Sequence, residues 1–352
     1  MPDLSILLFI ENCMKSVQAI RSHCIIKKRQ LKPNIHPTLE HGWLLPTLWQ
    51  MDSILWHRWD YWLTIATTGY LPQEQIPQIL FDQPEFGNRP VMAMLEQCLD
   101  AIPQHGEWIS WSSWQYFDYF LDWLLFGFGH HSNRTLPPEP AGCEGASDRL
   151  YQFFQLEVMQ LYPHDYFASL LAQTNYGERQ GFYPTPMCVC QMMAQMTFLD
   201  SGKDTRLLKA GDPCTGTGRF PLAMSNYTLC ITAQDIDETL VRAALVNGYL
   251  YAPWFVKPLN NIGGDIRVGN SLTDTWRSVL TGHVATEPAQ QKQLSDALTS
   301  SASAREDAAS YLANTEYNSE GIRWEPVLTR RRRSKKHTTD DSEPTILQGC
   351  LF

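Results

Sequence analysis

The residues best suited to bind a ligand lie in one stretch, residues 210–220, which reads Ala-Gly-Asp-Pro-Cys-Thr-Gly-Thr-Gly-Arg-Phe. Gly216 and Gly218 let the backbone turn tightly and approach a ligand without an intervening Cβ atom. Asp212, which follows a short apolar run, favours a cationic or hydroxyl-bearing ligand over a phosphate. The third glycine of a dinucleotide-binding loop is replaced by Pro221, and no G-K-[ST] of a P-loop occurs. The stretch therefore predicts a ligand-binding turn, and an ordinary glycine turn is the alternative.

The elements that must position this turn are predicted from apolar segments at regular intervals. Three segments are expected to form strands, at residues 207–208, 229–233 and 265–268, and a helical pattern covers residues 240–245. Strands that alternate with helices predict an α/β fold with a parallel, doubly wound sheet, whose ligand groups lie at the carboxyl ends of the strands.

Polar residues follow the second and third predicted strands. Asp235 lies about 20 residues after the glycine loop, the position from which an acid binds ribose hydroxyls. Asp237 is then expected to cap the next helix. Asn270, at the end of the third strand, is placed to hydrogen-bond an adenine edge.

A second candidate segment, Gly-Phe-Tyr-Pro-Thr-Pro at residues 181–186, precedes the glycine loop. Pro186 suits the first turn of a helix, and Thr185 is expected to cap it. The free N–H groups there can receive a carboxylate. An ordinary proline-rich helix entry is the alternative, and the position of the segment ahead of the loop favours a binding role.

The first part of the chain, residues 1–134, is predicted to be a tryptophan-rich, mainly helical domain of unknown role. Trp56, Trp59 and Trp62 recur every three residues, as on one helical face, and Trp111 and Trp114 begin a second such pattern. Core packing is favoured over base stacking because few Lys or Arg residues are interleaved. The adjacent pair at residues 130–131, His-His, is expected in a surface loop.

The middle of the chain is predicted to contain a linker and two helices. Residues 135–146 include three prolines and form the expected linker. Ser147 and Asp148 are expected to cap one helix that runs to residue 161, and Asp165 to start the next.

Composition limits the classes of function. The net charge of −9 means that the surface as a whole does not attract nucleic acid, so any DNA contact must use local basic patches. Basic runs occur at residues 27–32, near the N-terminus, and at residues 330–336. The second run lies in a low-complexity, partly disordered tail that is predicted over residues 276–352. Within this tail, residues 285–312 are expected to be helical.

Cysteine usage and hydropathy indicate the compartment. The nine cysteines have no regular spacing, and Cys188-Val-Cys190 is too tight for a C-x-x-C metal or redox motif. No metal site is expected, and the thiols are expected to be reduced. No apolar stretch reaches the roughly 18 residues of a membrane span, and the N-terminal run is a poor signal peptide. We expect a cytoplasmic protein without a membrane partner.

Four motifs in order resemble those of a known family: G-F-Y-P-T-P at residues 181–186, D-P-C-T-G-T-G-R-F at 212–220, D-I-D at 235–237 and G-N-S-L at 269–272. They are similar to the adenine-N6 DNA methyltransferases, especially the modification subunits of type I restriction systems. The resemblance covers roughly residues 148–275. It implies DNA methylation of the restriction–modification type, S-adenosylmethionine as the cofactor, DNA as a partner, and a partial Rossmann-like cofactor domain over residues 147–275.

The resemblance also implies roles for individual residues. Around the methionine part of the cofactor it places Asp212, Gly216 and Gly218, and it has Asp235 hold the ribose. Other residues implied to bind the cofactor are Tyr183, Thr185, Pro186, Pro213, Thr215, Ile236 and Asn270. The chain departs from the family in the inserted Pro184 and in Asn270, where many relatives have Asp.

A larger departure concerns catalysis. The family carries an [NDS]-P-P-[FY] tetrapeptide that holds the target amine and stacks on the flipped base. No such tetrapeptide follows Leu272, so the chain resembles a family member truncated before it, and the catalytic residues stay unassigned. Three hypotheses remain. The first is a family methyltransferase that acts on DNA, either by itself or as one part of a split enzyme completed by a protein partner. The others are an inactive cofactor-binding relative with a regulatory or DNA-associated role and an unrelated structural or interaction protein.

Overall fold

The computed structural model describes residues 38–81, 84, 87–103, 113–173, 182–198, 204–259 and 262–285. Both basic runs, Trp108, Trp111 and the predicted helix over 285–312, apart from Ala285 itself, lie outside these ranges.

The described residues form helices and five strands in mixed order, which confirms the α/β class. The helices that precede the sheet are α1 (Leu45–Leu55), α2 (Arg58–Thr68), α3 (Arg89–Asp100), α4 (Ser113–Gly127), α5 (Ala146–Phe153), α6 (Leu156–Leu161), α7 (Tyr166–Gln173) and α8 (Met187–Phe198). The remaining elements are β1 (Lys209–Asp212), α9 (Arg219–Met224), β2 (Cys230–Asp235), α10 (Glu238–Tyr251), α11 (Pro253–Val256), β3 (Asp265–Asn270), β4 (Thr275–Ser278) and β5 (Val284–Ala285).

The sheet is mixed, with strand order β1-β2-β3-β4-β5. The first three strands are parallel, as the sequence predicts, whereas β4 and β5 are antiparallel additions. The expectation of a wholly parallel sheet is wrong because only residues 271–274 join β3 to β4, and a parallel crossover requires a dozen or more. The predicted domain ends at residue 275, whereas β4 and β5 continue the sheet to Ala285, inside the segment predicted as a tail.

The parallel strands lie side by side in chain order, so both crossovers run in the same direction. Right-handed crossovers then place α9 and α10 on one face of the sheet. Ile231, Ala233 and Ile266 are fully buried on these strands. The first predicted strand is displaced, because β1 starts at Lys209, and Leu207 and Leu208 before it are 48% and 41% exposed.

The C-terminal end of α10 is where the N-terminal helices and the sheet region meet. The last carbonyls of a helix lack intrahelical donors, and a buried end requires other partners. Three side chains from elsewhere supply them: the Trp59 indole donates to Tyr249 O at 3.1 Å, the Gln160 amide to Leu250 O at 2.9 Å, and Arg58 to Tyr251 O at 2.6 Å. The two regions are joined by hydrogen bonds that neither can make alone.

Arg58 is the most deeply buried cation at this junction, with no exposed surface. Its guanidinium donates five hydrogen bonds, all to neutral oxygens, namely those of Pro77, Tyr251, Ser225 (two) and Asn226. Burial lowers the pKa of Arg58 to about 9, and it raises the pKa of nearby Asp52 to about 6. The rigid fork of donors is what makes this burial tolerable.

The tryptophans follow the core-packing prediction. Trp59, Trp62 and Trp123 are 2% exposed or less, and each indole N–H finds an acceptor. The single helical face predicted for Trp56, Trp59 and Trp62 is wrong, however. α1 ends before Trp56, and His57 adopts a left-handed conformation (φ 57°) that separates Trp56 from α2.

The predicted linker and the helix after it differ from expectation. Glu139 accepts hydrogen bonds from the backbone N–H groups of Gly145 and Ser147 at 2.7 and 2.9 Å, so the linker carboxylate, rather than Ser147 or Asp148, caps α5. Phe154 has an extended backbone, which divides the predicted single helix into α5 and α6.

We predict that Trp59→Ala lowers the free energy of unfolding by about 3–5 kcal/mol, because it empties a core position and leaves Tyr249 O without its donor. Trp59→Phe keeps most of the packing and should cost less. Urea denaturation of both variants measures the difference. An unchanged unfolding midpoint in Trp59→Ala would contradict a core role.

Candidate functional site

A cavity of about 690 Å³ opens at the carboxyl ends of β1, β2 and β3. This edge of a parallel sheet is where α/β proteins bind ligands, and the volume lies within the usual range for small-molecule sites. Of the residues predicted from the sequence, those that line the cavity are Tyr183, Thr185, Asp212, Pro213, Thr215, Gly216, Asp235, Ile236 and Asn270. Pro186 and Gly218 do not line it.

The two glycines of the loop are required by packing as well as by the turn. Gly216 and Gly218 have φ values of 55° and 92°, which side chains rarely adopt. A Cβ atom on Gly216 would lie 2.9 Å from the ring of Phe182, and one on Gly218 would lie 3.2 Å from Ala244 of α10. Gly218 therefore faces the helix, whereas Gly216 packs against Phe182, and both Gly216 and Phe182 line the cavity.

Asp235 is fixed at the cavity by two backbone donors. Its carboxylate accepts from Gly216 N at 2.8 Å through one oxygen and from Asp237 N at 3.0 Å through the other. Each carboxylate oxygen has a second lone pair, so both can still accept a ligand hydroxyl. Asp237 caps α10 as predicted, accepting from Thr239 N and Leu240 N at 2.8 and 3.3 Å.

Asp212 adds a second carboxylate to the same cavity. Its Oδ1 accepts from Cys214 N at 3.2 Å, which shapes the turn after β1. Burial raises the pKa of Asp212, and the nearby charge of Asp235 raises it further. Two carboxylates that line the same cavity favour a cationic or hydroxyl-bearing ligand and disfavour a phosphate.

A buried ion pair that the sequence analysis missed lies beneath the loop. Arg219 Nε is 3.1 Å from Asp165 Oδ2, and both side chains are nearly inaccessible. The same carboxylate accepts from Thr217 Oγ1 at 2.5 Å and from Asn247 Nδ2 at 2.8 Å. The predicted start of α7 at Asp165 is confirmed by its bond from Ala168 N. The pairing of Asp165 with Arg219, Thr217 and Asn247 has no local signal in the sequence, since these side-chain partners are 52 to 82 residues away.

The ion pair also positions the 182–186 segment. Arg219 Nη1 donates to Thr185 O at 3.1 Å, which holds this segment against the glycine loop. The predicted capping role of Thr185 is wrong, because α8 begins at Met187 and the carbonyl of Pro186 accepts from Val189 N and Cys190 N. Pro186 thus precedes the helix instead of lying in its first turn as predicted, and it separates Thr185 from the helix.

The rim of the cavity is apolar and open. Tyr183, Ile236 and Leu272 line it and are 78%, 72% and 94% exposed. Asn270 stands beside them, and its Oδ1 accepts from Leu272 N at 2.9 Å. Exposed apolar side chains around a concave site are typical of a surface that covers a flat, apolar ligand group.

Three buried polar atoms near the loop have no hydrogen-bond partner among the described residues: Thr215 Oγ1, Gln234 Nε2 and Asn247 Oδ1. Buried polar groups are normally satisfied, so each calls for an explanation. Thr215 lines the cavity. A ligand with hydrogen-bonding groups would supply the missing partner of its hydroxyl.

We predict that Asp165→Asn lowers the free energy of unfolding by about 3–5 kcal/mol, because Arg219 is then left buried and unpaired. Asp118→Asn is the matched control, since Asp118 pairs with Arg242 at a partly exposed position and such pairs contribute at most about 1 kcal/mol. Chemical denaturation measures both. Equal losses of unfolding free energy in the two variants would show that the buried pair stabilises the protein no more than the partly exposed one.

The comparisons with known proteins provide no family for this chain: no family model, no curated protein and no solved structure matches it. Across the described part of the chain, no helix has the length and apolar character needed to cross a membrane. The same residues contain no group of three or more His, Cys, Asp or Glu side chains arranged to hold a metal ion.

Proposed function

We propose that this chain binds S-adenosylmethionine in the cavity at the carboxyl ends of β1–β3 and acts in adenine-N6 methylation of DNA, of the restriction–modification type. The observation that carries the proposal is a pair of carboxylates beside the glycine loop. Asp212 ends β1 and Asp235 ends the adjacent parallel strand β2, and both line the cavity. The sequential order of these strands supports a Rossmann-like arrangement.

The charge of the cavity favours this cofactor over a dinucleotide. S-adenosylmethionine carries a sulfonium and an ammonium group, two ribose hydroxyls and no phosphate. A dinucleotide would bring its pyrophosphate to the glycine loop, where Asp212 and Asp235 would repel it. Among the described residues that line the cavity, Arg219 is the only basic one, and its guanidinium is already paired with Asp165.

The lining residues divide by the part of the cofactor they suit. Asp235 is held with both oxygens available for ribose hydroxyls, and Ile236 and Leu272 offer apolar surface to the adenine. Asp212 suits the cationic end, and the unsatisfied Thr215 hydroxyl suits a hydrogen-bonding group. Tyr183 is exposed at the mouth and can close over the ligand. When bound, the cofactor supplies an electrophilic methyl group.

Methyl transfer also requires an acceptor that orients the target amine. No [NDS]-P-P-[FY] tetrapeptide occurs in the sequence, so we propose that a second polypeptide supplies the base-binding residues and that this chain is one part of a split enzyme. The same observation favours a second candidate, an inactive relative that binds the cofactor and has a regulatory or DNA-associated role.

Calorimetric titration tests cofactor binding. We expect Asp235→Asn to weaken binding of S-adenosylmethionine by about 1–3 kcal/mol, through loss of charge-assisted hydrogen bonds to the ribose. Glu238→Gln is the local control, because Glu238 is an exposed carboxylate at the start of α10 that does not line the cavity. No binding heat from a folded sample would refute the proposal.

The same titration has an expected pH dependence. Asp212 attracts a cation only when ionised, and its raised pKa means that this charge is lost at a higher pH than for an ordinary aspartate. Affinity should therefore fall as the pH is lowered towards that pKa, and the fall should be smaller in Asp212→Asn.

Methyl transfer itself is tested with tritium-labelled cofactor and unmethylated genomic DNA. Orientation of reactants contributes roughly 7–11 kcal/mol to such reactions, so the purified chain should incorporate no label. Label that appears only after addition of lysate from the source cells would support the split enzyme. Incorporation by the chain alone would mean that another residue replaces the tetrapeptide. Cofactor binding without incorporation in either case would favour the inactive relative.

A further inference from the structure

Three distant segments bring basic side chains together beside the C-terminal end of α10. They are His41, before α1; His130, His131 and Arg134, after α4; and Lys257, after α11. We call these five residues the basic cluster. His130, His131 and Arg134 are already neighbours in the sequence, and the fold adds His41 and Lys257 from distant segments.

Direct contacts connect the members of the cluster. His41 Nε2 lies 3.0 Å from His130 O, and the rings of His130 and His131 are 4.5 Å apart. Arg134 Nε donates to His131 O at 3.1 Å. The ring of Tyr249 links the remaining pair, because its hydroxyl is 3.2 Å from His130 Nδ1 and Lys257 Nζ lies 5.7 Å from the ring centre.

His130 forms the floor of the cluster rather than part of a surface loop, which corrects the expectation from the sequence. It is only 2% exposed, while His131 beside it is exposed. Burial and the neighbouring His131, Lys257 and His41 lower the pKa of His130 to about 3. Burial likewise lowers the pKa of His131 and of Lys257. His130 is therefore a neutral imidazole that supports the groups above it.

Within the described ranges, none of the five residues forms an ion pair with a carboxylate. Asp122 approaches the segment after α4 through Asn133, but its carboxylate pairs with Arg242. In a chain with a net charge of −9, the cations of Lys257 and Arg134, which no carboxylate of the described residues pairs with, are a departure from the surrounding surface.

We propose that the basic cluster binds a phosphate group. Lys257 and Arg134 supply the charge, and the exposed imidazole of His131 supplies a further donor. The cluster is distinct from the cavity, because Tyr249 lies twelve residues beyond Asp237 on α10, about 18 Å along the helix axis. The proposal does not depend on the identity of the ligand in the cavity. A free phosphate compound and the phosphodiester of DNA share the required chemistry.

Titration with inorganic phosphate, observed by ³¹P NMR at constant ionic strength with chloride as the competing anion, tests the site. We expect the double variant His131→Gln/Arg134→Gln and the single variant Lys257→Gln to bind phosphate at least tenfold more weakly than the wild type. The double variant alters only exposed side chains, so its fold should be retained, as its melting temperature will show.

Arg89→Gln is the charge-matched control, because Arg89 is exposed at the start of α3, outside the cluster. It should bind phosphate as the wild type does. Absence of phosphate binding by the wild type, or an equal loss in Arg89→Gln, would overturn the proposal. Cofactor titration of the same variants separates the two sites, since a defect in the cavity would leave phosphate binding intact.

A second measurement identifies the source of the phosphate. Affinity for duplex DNA depends on salt with a slope of about one per phosphate contact in a plot of log K against log salt concentration. A slope that becomes shallower by about one or more in the double variant would assign the cluster to the DNA backbone. An unchanged slope with weakened binding of inorganic phosphate would assign it to a small phosphate compound. No change in either would refute the site.

Discussion

The ion pair between Asp165 and Arg219 is the interaction on which the cavity depends. Removing both charges from water costs several kcal/mol per ion, and this cost is offset only if every remaining hydrogen-bonding position is satisfied. Thr217 and Asn247 complete the carboxylate, while Arg219 reaches the carbonyl of Thr185. The buried pair thus fixes α7, the glycine loop, α10 and the segment before α8 relative to one another. The shape of the cavity therefore depends on the hydrogen bonds that this pair makes.

A similar constraint joins the N-terminal helices to the sheet region. The buried end of α10 has carbonyls that its own helix cannot satisfy, and Trp59, Gln160 and Arg58 supply the donors. The tryptophans combine large apolar surface with a single donor, which suits them to a boundary where apolar packing must also satisfy a backbone carbonyl. The helical region is therefore part of the same hydrophobic core as the sheet.

The two candidate sites lie at opposite ends of α10, and their charges match the helix dipole. The N-terminus of a helix carries a partial positive charge and its C-terminus a partial negative charge. The carboxylates of Asp235 and Asp237 lie near the first end, and the ammonium of Lys257 lies near the second. An acidic cavity and a basic cluster can thus coexist in one small region, separated by the length of a helix.

The sequence determined the parts of this protein that depend on neighbours along the chain. The alternation of strands and helices, the turn at Gly216 and Gly218, the cap at Asp237 and the acids at the strand ends all follow from local backbone chemistry. The antiparallel pairing of β4 also has a local cause, because residues 271–274 are too few for a parallel crossover from β3. Only the tertiary structure decided the rest, because its partners are far apart in sequence: Asp165 meets Arg219 across 54 residues, and Arg58 meets Tyr251 across 193. Burial makes such charges costly unless they are paired, and which groups can pair is set by packing rather than by spacing.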